Sequence, residues 1–215
     1  MNNTELNRIL KFLHFANNLK YELRHSWGTD GRRESVAEHC WRISLMAMLL
    51  APYLKNKVDL EKTLKMLIVH DIIEVEVGDT PTQDYQYSKT ATKSKETKEQ
   101  RAIINVQKIL SSNTGDEIRS LWEEFEERNT EEAKFAVSLD KMEIRMQHNE
   151  NPIETWSEFE IPRGLFAADR YCEFDDTIKQ FNELVKDEAE VKLKKAGYDT
   201  NDLSKQAEEL KKKVV

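Results

Sequence analysis

A nearly all-α fold is what this sequence predicts, and three observations predict it. Glycine and proline are scarce, six and four in 215 residues. Strand-like alternation of apolar and polar side chains is hard to find. Apolar residues instead recur at helical spacing, and several of the runs open on a capping residue.

Leu6, Ile9, Leu10, Leu13 and Leu19 mark a first amphipathic helix over roughly 4–20, with His14 inside it. Residues 24–34, RHSWGTDGRRE, read as a loop with two glycines and three arginines after Glu22 and Leu23. Ser35-Val36-Ala37-Glu38 is a capping box that opens a second helix to Leu50, with Pro52 just past its end. A third helix is predicted from about Asp59 to Val77, closed by Gly78. Residues 78–92 form a long polar loop, a length that in a compact domain often serves function. Helices follow over Lys93–Leu110, from a second capping box at Thr114–Glu117 to Glu127, and from Glu131 to His148 with Thr130 as cap. Residues 149–170 are irregular, a helix runs from Cys172 to Ala196, and 202–213 is a charged amphipathic segment ending in a lysine run that reads as a solvated face. The expected division is one domain over 1–197 and a charged helical tail over 198–215.

Composition excludes several classes. A net charge of −7 argues against a nucleic-acid polymer as partner while leaving room for a local basic pocket around a small phosphate. No apolar run approaches the ~20 residues of a membrane span. Cys40 and Cys172 lack zinc-type spacing and cannot make a disulfide framework, and no secretory signal is visible. A cytoplasmic protein with reduced core thiols is expected.

The stretch with most chemical content is Met66–Val77, MLIVHDIIEVEV. His70 and Asp71 are the only polar side chains between Met66 and Ile73, where a carboxylate is costly unless it is paired or bound to a cation. Neighbours on a helix do not face each other, so both need a partner from elsewhere. Asp140, in FAVSLDKMEI, is a second acid in an apolar helical run, and His39 stands beside Glu38 near the start of the capped helix. Alone, His39 reads as a structural histidine and Asp140 as half of an interhelical salt bridge. Together, two imidazoles and two carboxylates suit a borderline divalent cation.

The order His39, His70-Asp71, Asp140 resembles the HD-domain superfamily of metal-dependent phosphohydrolases. Arg24 and Trp27, then Arg33-Glu34-Ser35-Val36-Ala37-Glu38-His39, then His70-Asp71-Ile72-Ile73-Glu74 and Gly78-Asp79-Thr80-Pro81-Thr82, together with the segment LWEEFEERNTEEAKFAVSLDKMEI, resemble its 5′-deoxynucleotidase branch over about residues 5–190. The resemblance implies an all-helical bundle around one buried divalent metal held by His39, His70, Asp71 and Asp140. It implies hydrolysis of deoxynucleoside 5′-monophosphates, and by analogy a homodimer.

Four protein ligands leave positions open on a six-coordinate ion, which favours Mn, Co, Fe or Mg over a closed tetrahedral zinc. Glu74, one turn beyond His70, is a candidate general acid or base, or a partner that fixes a ligand. Asp79, where the resemblance puts an acid near the sugar, is a candidate for catalysis and substrate binding, or an ordinary turn residue. Arg24 and Arg33 are candidates for phosphate, as arginines suited to bidentate contact or merely solvated. Trp27 would wall the nucleoside or close the core. Two further functions share this ligand set: hydrolysis of another nucleotide, guanosine tetraphosphate or a deoxynucleoside triphosphate, and a non-catalytic nucleotide-binding scaffold.

Overall fold

The computed structural model describes residues 3–111 and 113–212. Helix α7 (Glu131–Glu150) is apolar on several sides, and its Phe135, Leu139 and Met142 are fully buried. Such a helix belongs in the interior. It packs against α2 (Val36–Leu50), α3 (Leu60–Val69), α6 (Asn113–Glu127), α9 (Asp169–Cys172) and α10 (Asp176–Lys195). Burial of each large side chain at this centre contributes roughly 1.5–3 kcal/mol. Thr130 caps α7 by accepting from Ala133 N at 3.2 Å.

The capping box predicted for α2 is present. Ser35 Oγ accepts from Glu38 N at 3.4 Å, and Glu38 Oε2 accepts from Ser35 N at 2.9 Å. The segment before it is not a plain loop. Leu23–Trp27 (β1) and Arg33–Ser35 (β2) pair as an antiparallel hairpin, with Leu23 opposite Ser35 and Trp27 opposite Arg33. The turn uses Gly31 at φ +81°, a conformation that favours glycine.

The single helix expected from Asp59 to Val77 is broken. Asp59 caps α3 by accepting from Lys62 N at 3.1 Å, and α3 ends at Val69. The chain then tightens: Ile72 N donates to the Val69 carbonyl and Glu74 N to the Asp71 carbonyl, both at 3.0 Å, before the short α4 (Glu74–Val77). His70 Nδ1 donates to the Leu67 carbonyl at 2.9 Å, the acceptor that an unbroken helix would offer to Asp71 N. Gly78 at φ +74° stops α4.

The polar segment after Gly78 contains one 3-10 turn, Thr82–Asp84, and Ser88 caps α5 (Lys89–Leu110), four residues earlier than expected. Helix α6 begins at Asn113, so Thr114 is inside it and is not its cap; Ser112, the preceding position, lies outside the described residues. At Gly115 a Cβ would meet the Gln107 carbonyl oxygen at 2.6 Å, so only glycine lets α6 approach α5 this closely. The helix expected from Cys172 starts instead at Asp176, as α10, and Cys172 ends the short α9. Asp175 separates them, its Oδ1 accepting from Thr177 N at 2.8 Å to cap α10. Within 149–170, expected to be irregular, lies the short helix α8 (Glu160–Arg163).

The last helix, α11 (Thr200–Lys211), is docked rather than solvated all round. Leu203 packs with Trp156, Ile161, Ala189 and Leu193 in a small second core. Lys213 of the terminal lysine run lies outside the described residues. Helix α1 (Asn3–Ala16) lies on α5 and leaves Leu6, Ile9, Leu10 and Leu13 exposed. Among the described residues, no helix is long and apolar enough to cross a membrane.

Candidate metal centre and adjoining cavity

Three separate elements bring the four predicted ligands together. His39 comes from the first turn of α2, His70 and Asp71 from the break after α3, and Asp140 from the middle of α7. The His39 and His70 rings lie 5.6 Å apart between centroids. Asp71 Oδ2 is 3.1 Å from His70 Nε2 and 4.0 Å from His39 Nε2, and Asp140 Oδ1 is 3.3 Å from His39 Nε2. The break in the helix is what lets adjacent residues His70 and Asp71 aim at one point.

The outer nitrogen of each imidazole is fixed. His39 Nδ1 donates to Glu143 Oε2 at 2.6 Å, and His70 Nδ1 donates to the Leu67 carbonyl. This leaves both Nε2 atoms as lone-pair donors facing inward. Both are buried and hydrogen-bonded to nothing among the described residues. Two orphaned imidazole nitrogens beside two carboxylates fit a divalent cation, which would satisfy all four at once. His39, His70 and Asp71 offer ligand atoms within 4.8 Å of one another. Asp140 joins through His39, while its second oxygen meets Lys141 Nζ at 2.8 Å. The lysine partner of Asp140 is thus its own neighbour in sequence, and one oxygen remains for the site.

The electrostatics match. Burial opposes charge on Asp71, but His70 and Arg24 hold its carboxyl down at about 2. Burial likewise opposes charge on Asp140, and Lys141 and His39 hold it well below the carboxylate range. Behind His39, Glu34 and Glu143 form a further acidic pair. Arg24 Nε lies 3.4 Å from Glu34, and Arg42 Nη1 lies 3.8 Å from Glu143. Both carboxylates thus lie within ion-pair distance of an arginine, and Glu143 orients His39 through its hydrogen bond.

Glu74 is pushed well above the carboxylate range by burial first, then by Asp71 and Asp79. Its Oε2 is buried without a partner among the described residues. Buried beside two carboxylates, Glu74 is a candidate general acid or base. Asp79 sits just past α4, where its Oδ2 accepts from His25 N at 3.2 Å and its own N donates to Glu22 Oε1 at 3.0 Å.

Arg24 and Asp79 open onto a cavity of about 100 Å³ that Arg145, His148, Phe159 and Glu160 also line. Arg24 Nη1 is 3.4 Å from Asp71, so the cavity adjoins the ligand set. Trp27 and Arg33, the other two substrate candidates, do not line it. The Trp27 carbonyl accepts from Gln147 Nε2 at 2.5 Å, and Arg33 faces Trp27 across the hairpin. Sequence reasoning passed over Glu143, Arg145 and His148. Glu143 carried the same signal as Asp140, an acid in an apolar run. Arg145 and His148 carried none, standing in the polar stretch RMQHNE.

An HD domain matches residues 16–182. The chain belongs to the HD-domain family. Among proteins similar to it, a 5′-deoxynucleotidase HDDC2 of Dictyostelium discoideum is 33% identical over 177 residues, 75% of this chain and 91% of that one. The 5′-deoxynucleotidase hdd1 of Schizosaccharomyces pombe is 32% identical over 154 residues, 68% of this chain and 74% of that one. Among solved structures, a predicted metal-dependent phosphohydrolase of Magnetospirillum magnetotacticum superposes with a TM-score of 0.76 at 30% identity, covering 87% of this chain and 96% of that one.

Proposed function

We propose that this HD-domain protein is a metal-dependent 5′-deoxynucleotidase that releases phosphate from deoxynucleoside 5′-monophosphates. The observation that carries the reading is the pair of orphaned Nε2 atoms of His39 and His70, buried beside Asp71 and Asp140 and joined through Arg24 to a cavity that Arg24 and Asp79 line. The similar 5′-deoxynucleotidases, which share most of the chain, support the substrate class.

His39, His70, Asp71 and Asp140 would hold one divalent ion, Mn, Co, Fe or Mg. When bound, such an ion polarises a phosphoryl oxygen and lowers the pKa of water. Arg24 then meets the remaining phosphate charge, already fixed in orientation by Glu34 and Asp71. Glu74 holds its proton and delivers it to the leaving 5′-oxygen. Asp79 faces the sugar and accepts from a sugar hydroxyl.

Incubation with dAMP, dGMP, dTMP, AMP, dATP and guanosine tetraphosphate tests the reading. Free phosphate from the deoxymonophosphates is expected; pyrophosphate from dATP or guanosine tetraphosphate as the product would overturn it.

The chain is also proposed to be a cytoplasmic homodimer, with 1–197 as its HD domain and 198–215 as an appended helical segment. Free thiols at the buried Cys40 and Cys172 fit a reducing compartment. The outer face of α2 supports self-association. Trp41, Leu45, Met48 and Leu49 are 67%, 41%, 55% and 61% exposed, an apolar surface unusual for a monomer. Residues 43–54 carry no charge, so a two-fold copy meets this face without repulsion. Sedimentation should show a dimer for the wild type and a monomer for Leu45→Glu; a monomeric wild type would refute the dimer.

A further inference from the structure

Arg24, in contact with the ligand Asp71, lines the cavity together with Asp79, whereas the four metal ligands and Glu74 do not. The cavity wall also holds a second cluster of buried polar groups that the hydrolysis proposed above does not use. Arg145 lines that wall, and its Nη1 is buried without a hydrogen-bond partner among the described residues. His148, one turn further along α7, lines it too, and its Nδ1 is likewise buried without a partner. His148 Nε2 lies 3.3 Å from Glu160 Oε1, which fixes the ring. Glu160 is held in turn, its Oε2 accepting from Ser157 N at 2.7 Å and from Ser157 Oγ at 2.9 Å. Phe159 supplies an aromatic wall, with the Arg163 guanidinium 3.6 Å above its ring centroid. A guanidinium nitrogen left unpaired and out of water is costly. A ligand entering the cavity would satisfy it.

We propose that Arg145, supported by His148 and Glu160, is the nucleobase-recognising residue of this site, donating to acceptors on the edge of the base. The proposal rests on the nucleotidase reading and adds the end of the substrate that the reading left without a partner.

Three observations favour the base over the phosphate. Arg24, not Arg145, touches a metal ligand. Arg24 is already engaged by Glu34 and Asp71, whereas Arg145 has a buried nitrogen without a partner among the described residues. The cavity is also small, about 100 Å³ against the roughly 300–1,000 Å³ of a site that encloses a whole ligand, so it takes one part of a nucleotide. With phosphate at the metal and sugar at Asp79, the part that remains is the base. A planar guanidinium best matches two acceptors on one edge, as on guanine, which makes dGMP the favoured deoxymonophosphate.

The test uses the metal-loaded protein and reads both binding, by calorimetry, and kcat/KM. The ligands are dGMP, dAMP, dCMP, dTMP and the base-free deoxyribose 5-phosphate, and the proteins are the wild type, Arg145→Met and Arg145→Lys. The wild type is expected to bind dGMP more tightly than the other nucleotides and than deoxyribose 5-phosphate. In Arg145→Met the loss on dGMP should exceed the loss on deoxyribose 5-phosphate by about tenfold or more, with partial rescue in Arg145→Lys. An equal loss on both ligands would assign Arg145 to the phosphate and overturn the proposal. No loss on either would make it structural, with the same consequence. Should Arg145→Met fail to fold, a wild type that binds dGMP no better than deoxyribose 5-phosphate suffices to overturn it. Base-dependent binding without phosphate release would sink the nucleotidase reading and leave this inference standing.

Discussion

His39 and His148 are both buried imidazoles against helix α7, and their electrical surroundings are opposite. Burial and Arg24 push His39 down, yet Glu143 and Asp140 carry it above its ordinary value. His148 is held well below its ordinary value by burial, then by Arg145, His25 and Arg24. At the Asp140 end of α7 the protein gathers buried anions, which call for a cation. At the His148 end it leaves a guanidinium nitrogen of Arg145 buried and unpaired among the described residues, which calls for an acceptor. One helix, through residues two turns apart, thus contributes both to the candidate metal centre and to the cavity beside it.

This comparison can be broken at either end separately. The largest effect is expected at Glu74. Glu74→Gln removes the proton donor but no metal ligand, so kcat should fall by about 10²–10⁴-fold with metal content and base preference retained. Normal turnover in the variant would remove Glu74 from the chemistry. A smaller effect is expected one layer behind the ligands. Glu143→Ala frees His39 Nδ1 and should weaken metal affinity by about 10–100-fold, with partial recovery in Glu143→Gln; titration with Mn or Co reads it directly. Unchanged affinity would show that Glu143 does not orient the ligand. The smallest effect belongs to a residue that serves neither end. Ser35→Ala removes the cap of α2 and should cost about 0.5–2 kcal/mol in denaturant unfolding, without changing the number of ions bound or the order of substrates.

How much of this was legible depended on whether a residue broke a pattern. His70, Asp71 and Asp140 stood out because they are polar in apolar runs, and His39 because a capping box placed it at a helix start. The caps Ser35, Asp59 and Thr130 set helix starts for local reasons, so those starts were readable. The break after Val69 was not, because the apolar run continues through Ile73 and the interruption depends on a side chain bonding the Leu67 carbonyl. The hairpin at 23–35 was hidden by arginines and glycines that resemble a loop. Arg145 and His148 broke no pattern, since charged residues near the end of a helix are ordinary. Only the fold shows that they are buried against a cavity. Nor was it visible that the Trp27 carbonyl joins the hairpin to Gln147 and Asn151 at the end of α7, or that Trp27, a candidate for walling the nucleoside or closing the core, does not line the cavity.

The central claim is that the four residues His39, His70, Asp71 and Asp140 hold one divalent ion on which phosphate release depends. Elemental analysis of the wild type and Asp71→Ala, run beside phosphate release from dGMP with Mn, Co or Mg supplied, tests it most directly. The account predicts one ion per wild-type chain, its loss in a still-folded Asp71→Ala, and loss of phosphate release with it. An Asp71→Ala protein that keeps its metal and its turnover, or a metal-replete wild type that releases no phosphate, would contradict it.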